Sequence, residues 1–228
     1  MRSLEPLRRH DWVFLKADWR RWLAAPIPAS DEQALAQWLE TDRPLVVARR
    51  GENDAPGLLR LGLALPGKRR VGLVLSAEAV TRRRPPPLFF DAVKSSATFW
   101  PDAMRELAAA LAGVAPDTGV FGSFAWQFFA ADPAMIYVTR ESDIDLLLAP
   151  ADSARCAAWI ALLQDFELRW PAPRLDGEIV LPDGDFIGDF ISWREFAARP
   201  EKILVKGANH VSLRPIEDID ALLRARAA

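Results

Sequence analysis

At 228 residues, 50% of them hydrophobic and 26% charged, the chain has the balance of a globular protein and length for one large domain or two small ones. No uninterrupted apolar run approaches the roughly 20 residues a membrane helix needs, and the opening MRSLEPLRRHDW lacks a secretory apolar core. A soluble, cytoplasmic protein with no membrane partner is therefore expected. The single cysteine, Cys156, excludes an internal disulfide, and its helix-like setting, DSARCAAWIALL, suits a small buried residue better than a reactive thiol.

The formal charge of −2 hides an asymmetry: residues 1–84 carry 16 Lys/Arg against 10 Asp/Glu, and residues 85–228 carry 13 against 21. A basic half suits phosphates or an acidic partner, and an acidic half suits cations. The sign changes at TRRRPPPLFF, where Pro85, Pro86 and Pro87 favour an extended connector, so two modules are expected, 1–84 and 85–228. Arg82, Arg83 and Arg84 read either as a solvated linker or as a docking point for an acidic protein.

In the first module, 31–40 (DEQALAQWLE) has helical spacing. PLVVARR, LLRLGLALP and RVGLVLS read as three short strands between Gly and Pro. The segment DWVFLKADWRRW places three of the nine tryptophans among arginines, which would suit base stacking on a single strand. The chain is net acidic, however, and lacks a sustained basic stripe outside 68–84, so packing is the expected use and nucleic acid is not an expected partner.

In the second module, 101–113 predicts a helix, with Pro101 at its start and Gly113 at its stop. TGVFGSFAWQFFA then reads as strand, turn at Gly122-Ser123, and helix from Phe124. A strand at 143–149, a helix at about 152–164 and a strand at 177–181 follow. FISWREFAAR, KILVKG, HVSLRP and a final helix IEDIDALLRARA complete the chain. The fold class expected is α+β, a small N-terminal α+β module followed by a mixed sheet flanked by helices.

The chemistry is carried by SDIDLLL. Side chains i and i+2 of a strand share a face, about 6–7 Å apart, so Asp143 and Asp145 converge beside buried leucines. Two such carboxylates repel and are costly to desolvate, and oxygen donors of this kind call for a hard cation such as Mg²⁺. Upstream, Gly122-Ser123 joins a strand to a helix, where free amides and the helix dipole can receive an anion. Together these suit a triphosphate chelated to Mg²⁺. Asp176 and Glu178 share one strand face by the same spacing, and Glu178 is the preferred third carboxylate, with Asp176 second and Asp189 a rival. Trp126, just past the turn, is the candidate to line the pocket and contact an adenine, and Lys206 is a candidate phosphate contact. His10 and His210 have no ligand spacing that would make a zinc site.

GSFAWQ followed by SDIDLLL resembles the signature of the polymerase-β-like nucleotidyltransferase superfamily. The whole chain, through RRHDWVFL, RLDGEIVLPDG, ILVKG and VSLRP, is similar to the malonate decarboxylase holo-acyl-carrier-protein synthase family, also called phosphoribosyl-dephospho-CoA transferase. The resemblance implies a nucleotidyltransferase-like catalytic domain at 85–228 and two Mg²⁺ ions held by Asp143, Asp145 and Glu178. It implies transfer of the phosphoribosyl-dephospho-CoA group from 2′-(5″-triphosphoribosyl)-3′-dephospho-CoA to a serine of the apo acyl carrier protein of malonate decarboxylase, with pyrophosphate leaving. Two other readings stay open: a nucleotidyltransferase using an ordinary NTP on a small molecule or tRNA, and a catalytically silent binding module.

Overall fold

The computed structural model describes residues 7–51, 54–96, 99–181, 188–207 and 210–225. They form two compact units, Met1–Pro86 and Pro87–Ala228. Each is an α+β unit built on its own sheet.

The first unit is an antiparallel sheet of five strands, β1 (Trp12–Leu15), β2 (Leu45–Val47), β3 (Leu58–Ala64), β4 (Arg70–Ser76) and β5 (Val80–Arg84), in the order β4-β3-β2-β1-β5. Along β4, Val71, Leu73 and Leu75 are buried between more exposed neighbours, the period-2 pattern of a half-covered strand. Helix α1 (Ala29–Leu39) buries Leu35 and Trp38, and the indole Nε1 of Trp38 donates to the Pro44 carbonyl at 2.8 Å. The expected helix and three strands of this half are present as α1, β2, β3 and β4.

Two strands were not expected, and each has a physical reason. β1 buries three successive residues, Trp12, Val13 and Phe14, so it shows no alternation to read. β5 contains Arg82, Arg83 and Arg84, which the proline run made look like a connector; they lie in a strand paired to β1. Arg83 forms an ion pair with buried Asp11, Nε to Oδ2 2.8 Å, and Arg82 lies over the Phe14 ring and pairs with Asp42 at 3.0 Å. Burial holds the Asp11 carboxyl above its usual range despite a backbone bond from Arg8 and the Arg83 charge. His10 is 8% exposed in a left-handed backbone conformation, its N–H donating to Val47, so His10-Asp11 serves the β1–β2–β5 junction.

The second unit is a mixed sheet of six strands in the order β11-β10-β9-β8-β7-β6. These are β6 (Gly119–Val120), β7 (Ile144–Leu148), β8 (Leu175–Val180), β9 (Phe190–Ser192), β10 (Lys202–Lys206) and β11 (Val211–Pro215). β7 and β8 are parallel; the other pairings are antiparallel. The helices are α2 (Phe89–Ser96), α3 (Pro101–Val114), α4 (Gly122–Ala130), α5 (Ser153–Arg169), α6 (Trp193–Ala197) and α7 (Ile216–Ala225). α5 makes the crossover that a parallel pair requires. The Asp152 side chain caps it by accepting from the Arg155 N–H at 2.7 Å, and it buries Cys156, Trp159, Ile160, Leu163 and Phe166. Continuation of that apolar stripe through Phe166 carries the helix past the expected end at 164. α2 was not anticipated; it begins two residues after the prolines, with Phe89 and Ala92 buried.

The sheet's two faces differ. Ile144, Leu146, Leu148, Leu175, Ile179, Ile191, Ile203 and Val205 are buried on one. The opposite face carries Asp145, Asp176, Glu178 and Lys206. No helix among the described residues is long and apolar enough to cross a membrane.

The Asp11–Arg83 pair is the first unit's charged weak point. Arg83→Ala leaves a carboxylate that is 3% exposed without its cation and should cost about 3 kcal/mol in urea unfolding. Arg82→Ala, whose pair is solvent-screened, should cost at most about 1 kcal/mol.

Candidate active site

The site is set by the register of β7 and β8. Their parallel pairing places Asp145 beside Asp176 and Leu147 beside Glu178. Paired residues on neighbouring strands lie about 5 Å apart and point the same way, so Asp143, Asp145, Asp176 and Glu178 share one face. The strand expected at 177–181 begins two residues earlier, at Leu175, which brings Asp176 into the ladder.

Four carboxylates this close cannot all ionise freely. Asp145, half-buried, has its carboxyl pushed up to about 7, first by burial and then by the charges of Asp176, Asp143 and Glu178, against which Arg174 acts. Two of the four have cationic partners. The Arg174 guanidinium holds Asp143 through both arms, Nε to Oδ1 at 2.8 Å and Nη2 to Oδ2. Glu178, 4% exposed, takes a 3.0 Å ion pair from Lys206.

The glycine-serine turn closes on the same carboxylate. The Phe121 N–H donates to the Asp145 carbonyl at 3.0 Å, and Gly122 opens α4 at φ +60°. A β-carbon on Gly122 would overlap the Asp145 carboxylate, lying 2.8 Å from its Cγ. Glycine is required there twice over, by the left-handed conformation and by the close approach. Ser123 follows, half-buried, in the first turn of α4, where backbone amides lack intrahelical acceptors.

The remaining expected residues fall differently. Trp126 is 7% exposed and stacked on Tyr137, ring centroids 6.2 Å apart, so its ring packs within the unit. Lys206 is on the acidic face but engaged with Glu178. Asp189 lies beyond the far end of β8, its carbonyl bonded to Leu181, five residues and roughly 16 Å along the strand from Asp176. It adjoins Gly207 and His210, away from the aspartate pair. Arg174 was missed by the sequence reading, although alternation extended one step back from Asp176 and Glu178 points to it. A cleft of about 570 Å³ between α5 and α6, lined by Glu167, Trp193 and Arg194 among others, contains none of the candidate residues.

The donor set is all oxygen, which suits a hard ion such as Mg²⁺, and Asp145, raised first by burial, also feels the charges of its three carboxylate neighbours. As the side chains stand, with Arg174 on Asp143 and Lys206 on Glu178, no three His, Cys, Asp or Glu groups among the described residues surround one point as metal ligands.

A carboxylate-rich face abutting a helix N-terminus is a site suited to a phosphate-transfer enzyme. The family comparisons carry the assignment further. Residues 88–217 match the model described as Phosphoribosyl-dephospho-CoA transferase MdcG C-terminal domain, and residues 8–86 match its N-terminal domain. Among curated relatives, a phosphoribosyl-dephospho-CoA transferase of Xanthomonas campestris pv. campestris (strain 8004) is 33% identical over 91% of this chain and 93% of its own. A protein of the same name from Xanthomonas axonopodis pv. citri (strain 306) is 36% identical over 96% and 98%. The chain belongs to the phosphoribosyl-dephospho-CoA transferase family. No solved structure matches it.

Gly122→Ala should displace the Asp145 carboxylate and lower turnover at least about 100-fold in steady-state assays, the scale of a 1 Å misplacement. Asp145 favours its protonated form in the folded protein, so its contribution to stability is fully present below about pH 4 and is lost as pH rises toward 7. In metal-free buffer, Asp145→Asn should therefore flatten the decline in melting temperature over that window and melt higher than the parent at pH 8.

Proposed function

We propose that this protein transfers the phosphoribosyl-dephospho-CoA group from 2′-(5″-triphosphoribosyl)-3′-dephospho-CoA to a serine of the apo acyl carrier protein of malonate decarboxylase. Family membership across both halves of the chain supports the transferred group. The convergence of Gly122, Asp145 and Asp176 on one point of the sheet is the observation that supports a nucleotidyltransferase-type site. In the reaction the serine Oγ bonds to the α-phosphorus, the bond from that phosphorus to the bridging oxygen breaks, and pyrophosphate leaves. Mg²⁺ bound at the acidic face would supply charge neutralisation on the phosphates and lower the pKa of the serine hydroxyl.

The chain's own residues would act as follows. Asp143 and Asp145 hold the metal, and the amides of the α4 N-terminus with Ser123 hold the outer phosphates. Asp176 is the better third carboxylate. It pairs directly with Asp145, whereas Glu178 lies one register step further along and is buried against Lys206. The serine proton passes to a carboxylate of this face. Lys206 positions Glu178 and retains two further N–H donors.

Incubating the protein with Mg²⁺, the triphosphoribosyl donor and apo carrier protein should raise carrier mass by one prosthetic group and release one pyrophosphate. Turnover confined to ordinary NTPs would overturn the proposed substrate, and binding without turnover would overturn the enzymatic reading. In the same assay Asp176→Asn should lose about 100-fold or more in rate. Glu178→Gln should act mainly on stability; the reverse ranking would restore Glu178 as the third carboxylate.

A further inference from the structure

The two cations on the acidic face are held in contrasting ways. Lys206 grips Glu178, a carboxylate whose side chain is 6% exposed, and that pair is fixed in the sheet. Arg174 grips Asp143 from solvent: its side chain is 61% exposed and that of Asp143 32%. Bidentate geometry holds such a pair more firmly than most surface pairs, but solvent reaches both partners, so the two charges can be rehydrated when they part and a divalent cation can compete for the carboxylate. Arg174 also sits at the start of the strand that carries Asp176, and it feels the charges of Asp143, Asp176 and Asp145 in that order. Its guanidinium is therefore the exposed positive charge among carboxylates that must themselves become ligands.

From this we infer that Arg174 is a displaceable counter-ion. It occupies Asp143 while the site lacks a divalent cation and gives way when one arrives. The freed guanidinium then takes the phosphate oxygens of the donor, its planar fork suiting two acceptors of a phosphate as well as those of a carboxylate. Metal loading and anion binding would thus be coupled through one side chain: the metal releases Arg174, and an anion that captures Arg174 prevents its return to Asp143, so each ligand favours the other. The inference rests on the proposed metal role of Asp143 and Asp145.

The test measures free Mn²⁺ by electron paramagnetic resonance and pyrophosphate binding by calorimetry, with the full-length parent, Arg174→Gln, Arg174→Lys and Asp145→Asn. Removing the competitor should tighten Mn²⁺ binding by Arg174→Gln about tenfold while weakening pyrophosphate binding in the presence of Mn²⁺ by tenfold or more. Arg174→Lys, which keeps the charge but loses the fork, should fall between parent and Arg174→Gln on both measures. Mn²⁺ affinity in Arg174→Gln equal to or weaker than the parent's would overturn the counter-ion role. Unchanged pyrophosphate affinity would overturn the anion role. Failure of the underlying metal reading looks different: Mn²⁺ would bind neither parent nor variants, or would bind Asp145→Asn as well as the parent.

Discussion

The parallel register of β7 against β8 is the constraint on which the rest of the candidate site depends. It sets Asp145 beside Asp176 on a sheet whose other face is closed by isoleucine, leucine and valine. The carboxylates have little freedom to move apart, because the residues between them are core. Burial raises the proton affinity of Asp145 first, and repulsion that a loop would relieve by moving is retained and adds to it. The α4 turn adds to the confinement, since Gly122 brings its backbone against the same carboxylate. Arg174 and Lys206 are the protein's internal answer to that charge, one exposed and one fixed.

The two units use charge for different ends. In the first, Asp11 and Arg83 are consumed in joining β1 to β5, and burial makes the pair an element of the fold. In the second, the corresponding pair of Asp143 with Arg174 lies toward solvent, where both charges can be rehydrated when it opens. Equivalent chemistry in two settings therefore has two uses, one structural and one open to exchange. The distinction is burial, which decides whether separated charges can be rehydrated.

Much of the fold was legible in the sequence where pattern and punctuation agreed. Pro101 at the head of an alanine-rich run marked α3, and the Gly-Ser turn marked the passage from β6 to α4. Leu58–Ala64 and Arg70–Ser76 alternated as half-buried strands do. Strands buried on both sides, such as Trp12–Leu15, carry no alternation and were missed. Arg82 and Arg84 are exposed as their charge suggested, but the run is a strand and not a linker, and Arg83 turns to buried Asp11.

By itself the sequence determined the α+β class, the aspartate pair, the glycine-serine turn and the family resemblance, because each is local chemistry written in neighbouring residues. Tertiary structure alone decided which distant groups meet that pair. Cross-strand register cannot be read from one strand, and a shift of one residue would have turned Asp176 to the opposite face. That register set Asp176 opposite Asp145, Glu178 against Lys206, and Arg174 on Asp143. Trp126 packs on Tyr137, because a helix's buried side is chosen by what it packs against and not by its distance from a motif.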